Sequence, residues 1–170
     1  MNDKQTGGDQ THELIKTPDK LSDKVSVGGP GAVDPAMLEQ AEKVIEDLAD
    51  SYLDWVAEDL AKLQSAFAQL KAGGGDPAEK LEAIFQVVHD IKGQGGSFDY
   101  TLMTIIGNQL CRFIENMDKK SVGAPELEVI ELHVNTLQVV ISQQLVGDGG
   151  EVGAKLLSGL EKVIAKRSGA

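Results

Sequence analysis

The stretch Leu81-Glu82-Ala83-Ile84-Phe85-Gln86-Val87-Val88-His89-Asp90-Ile91-Lys92-Gly93-Gln94-Gly95-Gly96 decides how the chain is read. Leu81, Ile84, Val87, Val88 and Ile91 fall in one sector of a helical wheel at about 100° per residue, which marks an amphipathic helix with one core face. His89 lies well over a right angle from the centre of that sector. Gly93 lies opposite it, with Lys92 and Phe85 on the flank. A histidine satisfied inside a core sits within the stripe, so His89 is expected on the surface. Positions i, i+3 and i+4 share one side of a helix, so His89, Lys92 and Gly93 form a group. The imidazole offers a nucleophilic nitrogen near neutral pH. Lys92 can neutralise an incoming anion, and Gly93 removes a side chain so that another molecule can approach the ring. Glycine within a helix costs about 1 kcal/mol relative to alanine. Gly93, Gly95 and Gly96 therefore point to close approach or to an early helix end.

The pattern H-x-x-K-G at His89, Lys92 and Gly93, on a helix that breaks soon after and is followed by a second amphipathic helix, resembles the histidine-containing phosphotransfer (HPt) domain of bacterial phosphorelays. The run from His89 through Cys111-Arg112-Phe113-Ile114-Glu115 is similar to the free-standing branch of that family. The resemblance spans about residues 50–146 and rests mainly on 84–115. One departure is visible: the family often has a glycine after the hydrophobic residue that closes the His helix, and here Phe98 is followed by Asp99.

The resemblance implies a phosphocarrier that takes a phosphoryl group on His89 and exchanges it with receiver-domain aspartates of response regulators or hybrid histidine kinases. Lys92 and Gly93 assist at the same site. A docking surface is expected from Phe85, Gln86, Gln94, Gly96 and Phe98; Tyr100 and Met103 could extend it, and for these two and Phe98 core packing is weighed above docking. Asp90 points differently on the wheel and is expected to be solvated. No P-loop or acidic metal cluster accompanies His89, so the chain is read as a carrier without ATP-dependent kinase activity. It is expected to bind no cofactor or metal of its own. Magnesium, the acceptor aspartate and a second lysine would come from the partner receiver domain.

Bulk properties narrow the alternatives. The chain has 170 residues, a net charge of −11 and only 4% aromatic residues. An acidic surface repels phosphate backbones, so nucleic acid is not expected as a partner. No apolar run approaches the roughly 20 residues that cross a bilayer. Met1-Asn2-Asp3-Lys4-Gln5 carries no apolar signal segment, so a cytoplasmic location is expected; a monomer is expected as well. The single Cys111 excludes an internal disulfide and reads as a small packing residue.

The fold expected is all-α: an antiparallel four-helix bundle with an additional N-terminal helix and a C-terminal helix. Residues 1–33 are polar and glycine-rich and are read as a disordered tail, which leaves 34–168 for the bundle. Asp34-Pro35 reads as a helix cap and first residue. The apolar positions Leu38, Ala41, Ile45, Leu48, Tyr52, Trp55, Leu60, Leu63, Phe67 and Leu70 follow. A single helix here would be about 57 Å long at the usual rise per residue. A break is therefore expected near Asp50-Ser51, where Ser51-x-x-Asp54 resembles a capping box. Trp55 is assigned to the core. Asp76-Pro77 begins the His89 helix, which should end between Gly93 and Ser97, with Ser97 or Asp99 capping the next. That helix carries Leu102, Ile106, Leu110, Phe113 and Met117, with Gly107 allowing close helix contact. Gly123-Ala124-Pro125 leads to a helix with Leu127, Ile130, Val134, Leu137, Ile141 and Leu145. Gly147-Asp148-Gly149-Gly150 precedes a last one with Val152, Leu156, Leu160 and Val163.

Two other functions compete. One is a non-phosphorylated helical adaptor that uses the His89 face only for binding. The other is a metal-binding bundle built on His89 and His133. It ranks last because Gln86 stands where a Glu-x-x-His ligand pair needs its glutamate. His133, between Leu132 and Val134, reads as a polar histidine on the flank of its stripe. His12, in the tail, carries no signal.

Overall fold

The computed structural model describes residues 34–168, and the tail expected over 1–33 lies outside them. The described residues form five α-helices and no strand: α1 (Pro35–Lys71), α2 (Pro77–Gly95), α3 (Thr101–Asn116), α4 (Ala124–Ser142) and α5 (Gly150–Ser168). A 3₁₀ turn, Gly96–Phe98, links α2 to α3. The all-α class is as the periodicity requires. The described residues divide within α1 into two units, one ending at Asp47 and the other beginning at Leu48. In the first, Asp34 Oδ1 accepts the Ala36 N–H at 3.0 Å, the cap expected before Pro35. Met37, Val44 and Ile45 there are exposed.

The bundle belongs to the second unit. Tyr52, Val56, Leu60, Leu63, Phe67 and Leu70 of α1 join one buried cluster with residues of α2, α3 and α4 and with Leu160 of α5. Two expectations for α1 fail. The helix runs without interruption through Asp50-Ser51, so there is no separate N-terminal helix. No glycine or proline lies between Pro35 and Lys71, and a capping signal alone does not stop a run of good helix formers. Trp55 is 49% exposed and Val56 takes its place inside. Val56 is four residues from both Tyr52 and Leu60, whereas Trp55 is about 140° around the helix from Leu60.

α2 begins as read: Asp76 Oδ1 accepts the Ala78 N–H at 2.9 Å, with Pro77 at the first position. It ends at Gly95, inside the expected window. α2 and α3 run antiparallel. A Cβ placed on Gly95 would meet Met103, and one on Gly107 would meet Lys92 and the Val88 carbonyl. The expected close contact at Gly107 is thus present. Neither Ser97 nor Asp99 caps α3. Tyr100 holds the cap position without a side-chain bond. Backbone does the work: Tyr100 N donates to the Gly95 carbonyl at 2.8 Å and Leu102 N to the Gly147 carbonyl at 3.3 Å. The orphan donors of a helix start need partners, and the loop after α4 supplies one here. Asp99 adopts φ 60°, ψ 27°. This is the left-handed conformation that glycine takes freely and aspartate tolerates better than most. The departure from the family's glycine leaves the turn in place.

Before α4, the Glu126 carboxylate accepts the Gly123 N–H at 2.8 Å, the side-chain half of a capping box. In α5, Leu160 is buried as expected, but Val152 is 45% exposed. Gly153 turns inward instead, and a Cβ there would stand 3.1 Å from Leu102 Cδ1.

Candidate functional site

α2 buries Leu81, Ile84, Val88, Ile91 and Gly95 and leaves His89 exposed. One turn earlier, the half-buried Phe85 ring lies 6.0 Å from the imidazole, centroid to centroid, at 25°. Phe85 leans on the core edge while its outer side supports the ring. One turn later, Lys92 is half-buried and Gly93 is exposed, with nothing within 4 Å of a Cβ built on it. The structure thus brings His89, Phe85, Lys92 and Gly93 onto one accessible strip. The arrangement offers a nucleophilic nitrogen, an adjacent cation and a gap where a second backbone can enter.

Asp90 does not share that strip. Lys62 of α1 is held above its ordinary value first by its 2.8 Å hydrogen bond to Asp59, then by the charges of Asp59, Glu58 and Asp90. Asp90 itself is exposed, as expected. The other docking candidates divide. Gln86 is exposed and donates to Glu82 at 2.7 Å. Gln94 is half-buried, and Gly96 is exposed at the start of the 3₁₀ turn. Phe98 turns inward: its ring stacks on Tyr52 at 4.5 Å and 12°. It packs the bundle end and does not extend the His89 strip. Tyr100 and Met103 are buried. The Tyr52 hydroxyl is buried without a hydrogen-bond partner among the described residues. Burial first, then Tyr100 and Asp59, push its pKa up to about 12, so Tyr52 remains a neutral core residue.

The family model of the Hpt domain matches residues 47–140, just over half of the chain. The chain belongs to the Hpt domain family. Hpt domains are phosphocarrier modules of phosphorelays that interact with receiver domains, and they are not kinases. The matched residues run from α1 through most of α4 and include the whole His89 strip. α5 lies beyond them. Comparison with curated proteins and with solved structures gives no significant match.

Within this Hpt domain, Cys111, a residue type that often carries chemistry, is structural. Cys111 is buried, and desolvation raises its thiol pKa, with Lys92 opposing. A thiol in that state is a poor nucleophile. No group of three or more His, Cys, Asp or Glu residues among those described could hold a metal ion. No described helix is long and apolar enough to cross a membrane.

His133 corrects the sequence reading. It is wholly buried, not a polar flank residue. α4 packs against both α3 and α5, so its buried face is broad: Val129, Ile130, His133, Val134, Thr136, Leu137 and Val140. His133 Nδ1 lies 2.7 Å from the Val129 carbonyl and donates to it. Nε2 has no partner among the described residues. Burial lowers the imidazole pKa from 6.5, with the Val129 bond opposing. A histidine depressed in the folded state contributes stability that is fully present above its unfolded value. That contribution is lost as pH falls through the folded value. Below pH 6.5, the unmodified domain should therefore lose stability with a slope of up to about 1.4 kcal/mol per pH unit from this residue. His133→Leu should fold and flatten that part of the curve, measured by urea unfolding from pH 7.5 to 5. Equal slopes in the two proteins would show that His133 accepts its proton without opening the core.

Proposed function

We propose that this chain is a phosphorelay carrier that accepts a phosphoryl group on His89 and exchanges it with aspartates of receiver domains. One observation carries the reading: His89 stands exposed on α2 with Lys92 beside it and open space at Gly93. The unprotonated ring nitrogen attacks the phosphorus of a receiver's acyl phosphate. The new N–P bond forms as the P–O bond breaks, and the aspartate carboxylate leaves. Such a transfer needs an in-line approach and cations on the equatorial oxygens. Lys92 contributes positive charge from this side. The receiver contributes its own lysine and magnesium, so this chain needs no bound cofactor. Phe85, Gln86, Gln94 and Gly96 form the surrounding contact surface. A monomer in the cytoplasm, serving response regulators or hybrid histidine kinases, fits the reading.

The experiment incubates the protein with a panel of phosphorylated receivers from its own organism. Phosphate that is labile to acid and stable to base should appear on this chain. Receiver binding with no such phosphate from any member of the panel would replace the carrier by an adaptor.

A further inference from the structure

The strip around His89 rests on a second layer supplied by α3. α2 ends at Gly95, so Lys92 carries the first of the four carbonyls that a helix leaves without an internal partner at its end. The Thr104 hydroxyl donates to that carbonyl at 3.0 Å. One turn further along α3, Gly107 faces the same residue. A Cβ at position 107 would lie 3.0 Å from Lys92 Cβ, 3.4 Å from Lys92 Cα and 3.5 Å from the Val88 carbonyl. The nearest of these atoms belong to the backbone or to the first side-chain carbon, which cannot swing aside as a chain end can. The Lys92 charge is felt at Cys111, one turn beyond Gly107. Helical side chains favour running back towards the N-terminus of their own helix. On the antiparallel pair that direction leads to the level of His89.

We infer that Gly107 and Thr104 are positioning residues for phosphoryl transfer: they hold Lys92 flat against α3, so that its ammonium lies beside the His89 ring. Neither residue touches the phosphoryl group. Thr104 fixes where the Lys92 backbone sits, and Gly107 leaves the floor over which the side chain passes. The inference rests on the carrier reading of His89.

The test is a mutant cycle with Lys92. Single-turnover transfer from a phosphorylated receiver is measured for the unmodified chain, Gly107→Ala, Lys92→Ala and the double variant, each checked by thermal melting. A misplacement of a few tenths of an ångström should slow transfer about tenfold in Gly107→Ala, since a full ångström can cost a hundredfold. In the Lys92→Ala background, Gly107→Ala should have almost no further effect, because both act through one ammonium. A merely structural glycine would slow both backgrounds equally, and that result overturns the inference. So does an unchanged rate in Gly107→Ala. If Gly107→Ala fails to fold, Thr104→Val runs through the same cycle. Val keeps the volume and removes the donor, and the same two outcomes decide. No label on the unmodified chain overturns the carrier reading itself. Label with additive losses overturns the positioning role alone.

Discussion

His89→Gln is expected to abolish transferable phosphate on the chain while leaving the melting temperature within a degree or two of the original. The side chain is exposed and its ring lies against that of Phe85, an interaction of about 0.5–1.5 kcal/mol at most. Glutamine is at least as good a helix former as histidine, so α2 loses little. The proposed nucleophile is lost outright. A carrier works through a covalent intermediate, and no neighbouring group in the strip can replace an imidazole nitrogen. An ammonium group has no free lone pair to offer phosphorus, and Gly93 has no side chain. Label from a phosphorylated receiver should fall by about three orders of magnitude or more. His133 cannot compensate, because it is wholly buried. Undiminished label on His89→Gln, with its helicity intact, would move the phosphoacceptor elsewhere and remove the basis of the proposed function.

His89 could be placed from sequence because exposure on α2 is a local property. Leu81, Ile84, Val88 and Ile91 define a stripe, and a residue far round the wheel from it faces water. His133 could not be placed the same way. Its stripe gives the centre of the buried face but not its width, and the width depends on how many helices cover α4. Trp55 failed for a related reason. It sits close enough to Tyr52 on the wheel to seem inside, and only the register towards Leu60 and Leu63 excludes it. The start of α3 was out of reach because its donors are satisfied by the Gly95 and Gly147 carbonyls. The second of these lies far away in the chain. Thr104 carried no local signal, since its partner is the backbone of another helix. Gly107 could be read as a contact glycine, but nothing in the sequence says that the residue above it is Lys92.

Gly93 and Gly95 stand two residues apart on α2, and substitutions there should have opposite effects. Gly95 is buried, and a Cβ on it would lie 2.9 Å from both Met103 Cβ and the Tyr100 carbonyl oxygen. Those atoms belong to the start of α3 and cannot move without opening the turn. Gly95→Ala should therefore destabilise the domain by about 2 kcal/mol, the usual scale for overpacking, and chemical unfolding would show it. Gly93 has helical geometry and open space around it. Gly93→Ala should stabilise α2 by up to about 1 kcal/mol, since alanine is the better helix former. Gly93→Leu should also fold, because its side chain projects into solvent. Yet the leucine would stand one turn from His89, where an approaching receiver needs room. Transfer should slow by about tenfold or more, because a small displacement of the reacting groups is costly in an in-line transfer. Stability and transfer would then separate at a single position. If Gly93→Leu folds and transfers at the original rate, the receiver does not come close on this side of the ring. The open gap would then be a feature of the helix alone.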